Sequence, residues 1–265
     1  MYQQLRPWIF RSDAEAAHAA TLWLLQVAGA IPPIRRALFS FYSVDKAPAV
    51  EVFGLRFPNR VGLAAGYDKD GLAWRGLAAL GFGHIEIGTV TLKPQLGNQR
   101  PRLFRLVEDQ GLINRLGFPS RGAAFVQRRL LGERAEGLII GVNLGINKDT
   151  PIKQAAKDYA QLMGIFSPLA DYLVINVSSP NTPGLRKLEN SERLAQLLSD
   201  IKSERSKPLL VKLSPDLEQT ELRATLDVLL DAKIDGLIAS NTTLDRPRLL
   251  SQQAIQTGGL SGKPL

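Results

Sequence analysis

The apolar run Tyr172-Leu173-Val174-Ile175 leads directly into Asn176-Val177-Ser178-Ser179-Pro180-Asn181, so amides and hydroxyls stand at one end of a strand. Similar groups close other apolar runs: Thr89 and Thr91, Asn143 with Asn147 and Lys148, Lys212, and Ser240-Asn241-Thr242. Ahead of them lies Ala64-Ala65-Gly66-Tyr67-Asp68-Lys69, whose small residues let a flat ligand reach the backbone beside a lysine. An amide offers donors and an acceptor in one plane, which matches the edge of a neutral heterocycle such as a pyrimidine or flavin ring. A lysine then suits an anionic substituent. Lys212 also leaves open a Schiff-base aldolase, because lysines on barrel strands form such adducts. Each corner has a plainer reading as well, since Asn, Ser and Pro are what any strand-to-turn junction needs.

Other chemistries are poorly served. The chain has no cysteine, which removes disulfides, thiolate metal sites and a cysteine base together. Its two histidines, His18 and His84, are too few for a histidine-rich metal site, and no metal is expected. Near the strand ends the carboxylates are Asp68, Asp70 and Asp216, too sparse for a paired-acid glycosidase.

The elements that must carry these groups recur along the chain. Arg60 to Gly66, His84 to Thr91, Gly137 to Leu144, Tyr172 to Ser179, Pro208 to Pro215 and Gly236 to Thr243 read as strands. Asp70 to Leu80, Ser120 to Leu131, Ile152 to Leu169, Ser191 to Glu204 and Leu217 to Ala232 have helical composition between them. Repeated βα units wind into a parallel sheet, and chemistry at nearly every strand end suits a (β/α)8 barrel better than a sheet with one crevice. Six of the eight strands of such a barrel are legible. The 265 residues are 45% hydrophobic, ample for a large core. Val50 to Phe53 and Leu55 to Phe57 flank Gly54 as a hairpin, expected as a plug under the barrel. Asn114-Arg115-Leu116-Gly117-Phe118 forms the polar tip of a long loop, and Gly258 to Gly262 a glycine-rich turn able to face an anion.

Residues 1–45 form a separate helical piece, with 46–265 as the barrel. Ser12-Asp13-Ala14-Glu15 has the capping-box pattern, Ala16 to Ala28 follows as a helix, and Pro32-Pro33 divides it from Ile34 to Tyr42. The two helices are expected to form a hairpin. The apolar run is too short to cross a bilayer, and Asp13 and Glu15 ahead of it argue against a signal peptide. Packing on the barrel and lying in a membrane interface both remain open. The formal charge is +8, and Lys93, Arg100, Arg102, Arg105, Arg115, Arg121, Arg128, Arg129 and Arg134 crowd one stretch against Glu108, Asp109 and Glu133. That is either a solvated face or an anion-binding one. No nucleic-acid module is legible.

Six motifs, in order, resemble those of the quinone-dependent, class two dihydroorotate dehydrogenases. They are Ala65-Gly66-Tyr67-Asp68-Lys69-Asp70-Gly71, Ile87-Gly88-Thr89-Val90-Thr91, Gly111 to Phe118, Asn176 to Leu185 (with Pro183), Ser240-Asn241-Thr242-Thr243 and Thr257 to Gly262. The resemblance implies that FMN lies across the barrel top, that dihydroorotate stacks on it and leaves as orotate, and that Ser179 is the catalytic base. It assigns substrate contacts to Lys69, Asn114, Arg115, Leu116, Gly117, Phe118, Asn176, Asn181, Asn241 and Thr242. Cofactor contacts fall on Ala65, Gly66, Tyr67, Asp68, Lys69, Thr89, Asn143, Asn176, Lys212, Ser240 and Gly262. The helical extension becomes a peripheral membrane attachment on the cytoplasmic face, through which a quinone reaches the flavin, with His18 and Arg105 on the quinone side. A monomer is expected. Two further strands are implied after Gly262, with glycine-rich ends that hold the FMN phosphate. On that reading the chain is a piece of a barrel, and its alternative is a flavin-free fragment without activity.

Overall fold

The computed structural model describes residues 2–43, 48–132, 134, 137–182 and 184–265. The expected boundary at 45/46, Glu133 of the charged stretch and Pro183 of the fourth motif lie outside the described residues. The chain begins with α1 (Tyr2–Ile9), α2 (Ala14–Ala30) and α3 (Pro32–Tyr42), followed by a hairpin of β1 (Val50–Val52) and β2 (Leu55–Phe57). Then come β3 (Gly62–Leu63), α4 (Trp74–Ala78) and β4 (His84–Val90). An excursion carries β5 (Leu103–Leu106) and β6 (Gly111–Asn114) before α5 (Ala123–Leu130) and β7 (Ile139–Leu144). The alternation resumes with α6 (Ala155–Phe166), β8 (Tyr172–Asn176), α7 (Ser191–Asp200), β9 (Leu209–Leu213), α8 (Gln219–Asp231), β10 (Gly236–Ala239) and β11 (Gly259–Gly262).

All six expected strands pair in parallel in the order β10-β9-β8-β7-β4-β3, the sequential order of a partial (β/α)8 barrel. Side-chain alternation assigns the two faces. Ile85, Ile87, Ile140, Val142, Leu173, Ile175 and Val211 point outward into the main core, where Tyr159, Phe166 and Leu194 of the helices meet them. Burying each such side chain contributes about 1.5–3 kcal/mol. On the inner face Tyr172, Val174 and Leu210 pack against Phe57 of the hairpin, which plugs the amino-terminal end as expected. Burial weakens toward the edge: every residue of β8 and β9 is buried, whereas β10 alternates between partly buried and exposed.

Several expectations need correction. The excursion after β4 is not an open loop: β5 and β6 pair antiparallel, and β11 adds to β6, so the segment Gly258 to Gly262 is largely strand and not an anion-facing turn. Leu106, Ile113 and Leu260, one from each strand, form its small core. The capping box is also replaced. Asp13 is the cap of α2 and accepts from the Ala16 N–H at 2.9 Å, while Glu15 turns away to Arg100 and Arg102 at 3.0 and 2.7 Å. The α2–α3 pair bends by 107°, making a corner and not a hairpin.

Much of the basic stretch is neither a solvated face nor an anion site but internal strutting. Arg105 donates to the Ser12 carbonyl at 2.7 Å, Arg129 to the Leu72 carbonyl at 2.9 Å, and Arg102 to the Leu96 and Asn98 carbonyls at 2.7 and 2.8 Å. Helix α2 crosses α4 where two glycines meet: a Cβ on Gly76 would stand 2.8 Å from the Leu25 carbonyl carbon, so only glycine allows this approach. The extension is thereby docked on the barrel. Its outer side leaves Trp8, Trp23, Leu24, Phe39 and Phe41 exposed, Phe41 by 80%. No single described helix is long and apolar enough to cross a membrane.

Candidate active site

A cavity of about 520 Å³ opens at the carboxyl ends of the parallel strands. Register explains its floor. Asn176 of β8 pairs with Lys212 of β9, and Asn143 of β7 pairs with Val174 of β8, so inward-facing positions at successive strand ends fall side by side. Thr89 joins them because a register shift between Gly88 and Val90 breaks the alternation of β4. Its hydroxyl donates to Asn143 Oδ1 at 2.7 Å, and Asn176 Nδ2 donates to both Thr89 Oγ1 and Asn143 Oδ1 at 3.0 Å. Beside this floor the backbone at Gly66 has φ +116° and open space where a Cβ would stand, a shelf for a flat ring.

The roof is built by the antiparallel sheet, which the sequence hid, and by α2, which it showed. Leu103, Leu112, Asn114 and Ser261 of the antiparallel sheet line it, together with Glu15 and His18 of α2. His18 Nε2 lies 2.7 Å from the Tyr67 carbonyl oxygen, and its ring meets Tyr67 edge-on at 4.9 Å. Asn181 Nδ2 donates to the Asn114 carbonyl at 3.1 Å and Asn98 Nδ2 to the Asn181 carbonyl at 3.2 Å, tying the loop after β8 to the roof.

Most sequence-predicted residues meet in this space. Ala65, Gly66, Tyr67, Lys69, Thr89, Asn114, Leu116, Gly117, Phe118, Asn176, Ser179, Asn181, Lys212, Asn241, Thr242 and His18 all line it. Six others stand outside its lining. Asp68 is fully buried and accepts from the Leu72 and Ala73 N–H groups at 2.7 and 2.8 Å, shaping the turn before α4. Arg115 spans Pro101 and Gln256 at 3.0 Å and lies over the Phe104 ring. Asn143 sits behind Thr89 and Asn176, Ser240 donates to the Asn241 carbonyl at 3.1 Å, and Gly262 pairs with Gly111 at the far end of β11. Arg105 lies over the Phe10 ring of the extension.

The two adjacent serines separate cleanly. Ser178 is fully buried, donating to Asn176 Oδ1 at 3.1 Å and accepting from Asn241 Nδ2 at 2.9 Å. Ser179 lines the cavity, and among the described residues its oxygen accepts only the Asn181 N–H, at 3.3 Å. Close by in sequence, the buried Thr182 hydroxyl has no hydrogen-bond partner among the described residues. Burial and the charge of Lys212 pull the Lys69 ammonium down to about 8. Two lysines, cavity-facing amides and one lightly bonded hydroxyl thus surround a space suited to a flat, anionic, hydrogen-bonding ligand. The residues missed in sequence are Glu15, Leu103, Leu112, Pro119 and Ser261 of the lining, and Glu86 beneath the floor. Leu112 and Ser261 stood inside quoted motifs without a role of their own, and Glu86 had a legible signal in its inward phase in His84-Ile85-Glu86-Ile87.

Residues 48–265 match the sequence profile of a family described as dihydroorotate dehydrogenase. Over 271 residues the chain is 48% identical to a dihydroorotate dehydrogenase (quinone) of Roseiflexus sp., covering 100% of this chain and 75% of that protein. The Thermus thermophilus protein of the same name is 48% identical over 261 residues, covering 97% and 75%. Among solved structures, ligand-free DHODH from Eimeria tenella superposes with a TM-score of 0.85 at 39% identity, covering 95% of this chain and 76% of that one. The same protein in complex with ferulenol gives 0.84 at 38%, covering 96% and 73%.

Proposed function

The chain belongs to the dihydroorotate dehydrogenase family, and we propose that its cavity oxidises dihydroorotate to orotate in pyrimidine biosynthesis, with FMN as cofactor and a membrane quinone as final acceptor. The observation that carries this is the convergence of Ser179, Lys69, Asn114, Asn176, Asn181 and Asn241 on one cavity. Family membership favours this over Schiff-base chemistry on Lys212.

The residues present suit an isoalloxazine ring: the open shelf at Gly66, the small Ala65, and the amide and hydroxyl edge of Thr89 and Asn176, with Lys212 alongside. When bound, FMN supplies a two-electron acceptor for the hydrogen leaving substrate C6. The remaining work falls to this chain. Lys69 holds the substrate carboxylate, while Asn114, Asn181 and Asn241 grip the ring amides and carbonyls and fix its angle. Ser179 takes the C5 proton. An ordinary hydroxyl is a weak base, so the proton must move on, and the Thr182 hydroxyl, buried and without a hydrogen-bond partner among the described residues, is the group we assign to relay it. The roof of β5, β6 and β11 keeps bulk water from that relay.

The exposed aromatic side chains of α1 to α3 supply a peripheral membrane contact, which we assign to the cytoplasmic face. Quinone enters past His18, with Arg105 bracing the helices at that end, and the protein works as a monomer without nucleic acid. The test is direct. Titrating the purified chain with FMN and then adding dihydroorotate without oxygen is expected to bleach the flavin band. A flavin that binds but stays oxidised overturns the reaction. A chain that never takes up FMN supports the flavin-free alternative.

A further inference from the structure

Glu86 is 4% exposed and lies on the inner face of β4, below the cavity. A carboxyl group there is costly unless it serves something, and burial pushes it upward from the ordinary carboxylate range. Its partners are specific. Oε1 accepts from Asn143 Nδ2 at 2.8 Å, and Oε2 accepts from the Tyr172 hydroxyl at 3.3 Å. We propose that Glu86 is a positioning residue that sets the donor and acceptor pattern of the cavity floor through Asn143.

An amide can flip, because its oxygen and nitrogen have nearly the same shape. A carboxylate can only accept. Glu86 therefore turns the Asn143 NH2 downward, which leaves Asn143 Oδ1 upward to receive Thr89 Oγ1 and Asn176 Nδ2. That in turn points Asn176 Oδ1 at the Ser178 N–H and hydroxyl, at 3.3 and 3.1 Å. Reversing Asn143 would set its oxygen against Glu86 and its NH2 against the Asn176 NH2. Two cavity-lining residues, Thr89 and Asn176, thus inherit their orientation from a group that never reaches the cavity. A neutral carboxyl keeps the arrangement when its O–H donates to a reversed Tyr172 hydroxyl and Oε1 still accepts from Asn143.

The proposal rests on the flavin and dihydroorotate reading of the cavity, so its test includes a readout that needs neither ligand. Side-chain amide hydrogen exchange of Asn143 and Asn176, followed by NMR in the flavin-free chain, is expected to rise about tenfold or more in E86M and to stay near wild type in E86Q and Y172F. FMN affinity should fall about tenfold in E86M and hold within about threefold in E86Q, whose carbonyl still accepts. Equal behaviour of E86M and E86Q, in exchange or in affinity, overturns the proposal, because packing alone would not distinguish them. Should E86M fail to fold, N143D and E86Q/N143D replace it: the single variant sets two acceptors face to face, and the double variant restores a donor below. Recovery of FMN affinity in the double variant supports the polarity chain, and none refutes it. Wild-type protein that binds no FMN sinks the functional reading, while the exchange comparison still judges Glu86.

Discussion

The cavity floor and the amino-terminal helices invert the usual distribution of side chains in opposite senses. At the floor, Asn143, Asn176, Ser178 and Glu86 are buried polar groups, each satisfied by its neighbours at hydrogen-bond distance. In the helices, Trp8, Trp23, Phe39 and Phe41 are large apolar groups left in solvent. Burying amides and exposing aromatics both cost stability relative to the reverse. The two regions therefore present opposite surfaces: hydrogen-bonding edges at the floor, and aromatic faces on the helices, for which we proposed a membrane contact. Glu15 joins them, since it lines the cavity from α2 and pairs with the 7% exposed Arg102 under the roof.

The largest expected effect falls wholly on the cavity. Ser179→Ala should slow anaerobic flavin reduction by dihydroorotate about 10²–10⁴-fold while sparing FMN binding and vesicle binding. Near-normal reduction would remove Ser179 as the base and leave the cavity a binding surface only. Next comes the reciprocal change. Glutamate at Trp23 and Phe41, which are 61% and 80% exposed, should weaken binding to phospholipid vesicles about tenfold or more, with quinone turnover falling alongside. Flavin reduction should not change. If it falls too, the regions are not separable; if vesicle binding persists, the exposed aromatics face something other than lipid.

How much of this was legible depended on whether the signal was local. The six parallel strands announced themselves because runs such as Leu209-Leu210-Val211 and Leu173-Val174-Ile175 are apolar on both faces, as a sheet covered on both sides demands. The antiparallel sheet did not, since β11 comes from far along the chain and its Gly-Leu-Ser-Gly reads locally as a turn. Helix α1 was missed because Pro7 lies inside it. Glu15 fitted a capping box until Arg100 and Arg102 competed for its carboxylate. Within the site, residue types at strand ends were readable. What separates Ser178 from Ser179 came from the family resemblance alone and not from the residues themselves, for it depends on where Asn241 of a different strand end arrives.

A smaller effect sharpens the electrostatics of the cavity. With the Lys69 ammonium brought down to about 8, the positive charge we assign to the substrate carboxylate is present below that pH and lost above it. Orotate affinity is expected to be level up to about pH 8 and then to fall by up to about tenfold per pH unit. Lys69→Met should be weak throughout and show no such step. An unchanged step in that variant would transfer the titration to another group.

The smallest effect concerns a buried carboxyl outside the cavity lining, and so asks whether burial of a polar group always signals ligand chemistry. Glu189, 3% exposed, accepts from the Ser214 N–H at 2.6 Å, and its own carbonyl accepts from Thr225 Oγ1 at 3.2 Å. Burial pushes its carboxyl from 4.5 to about 7, against the pull of that N–H and of Arg186. Between those values the folded chain keeps a proton that the unfolded chain has released, so raising the pH removes stability. The contribution is complete below about 4.5, declines as pH climbs through about 7, and is then constant. Glu189→Gln keeps an acceptor for Ser214 but cannot ionise, so thermal unfolding from pH 5 to 8 should fall less steeply in the variant, with flavin reduction unaltered. Parallel slopes would mean that Glu189 is already ionised at the acid end, stabilised by Ser214 and Arg186. Altered flavin reduction would instead tie this carboxyl to the cavity, and burial of polar groups would no longer separate the site from its scaffold.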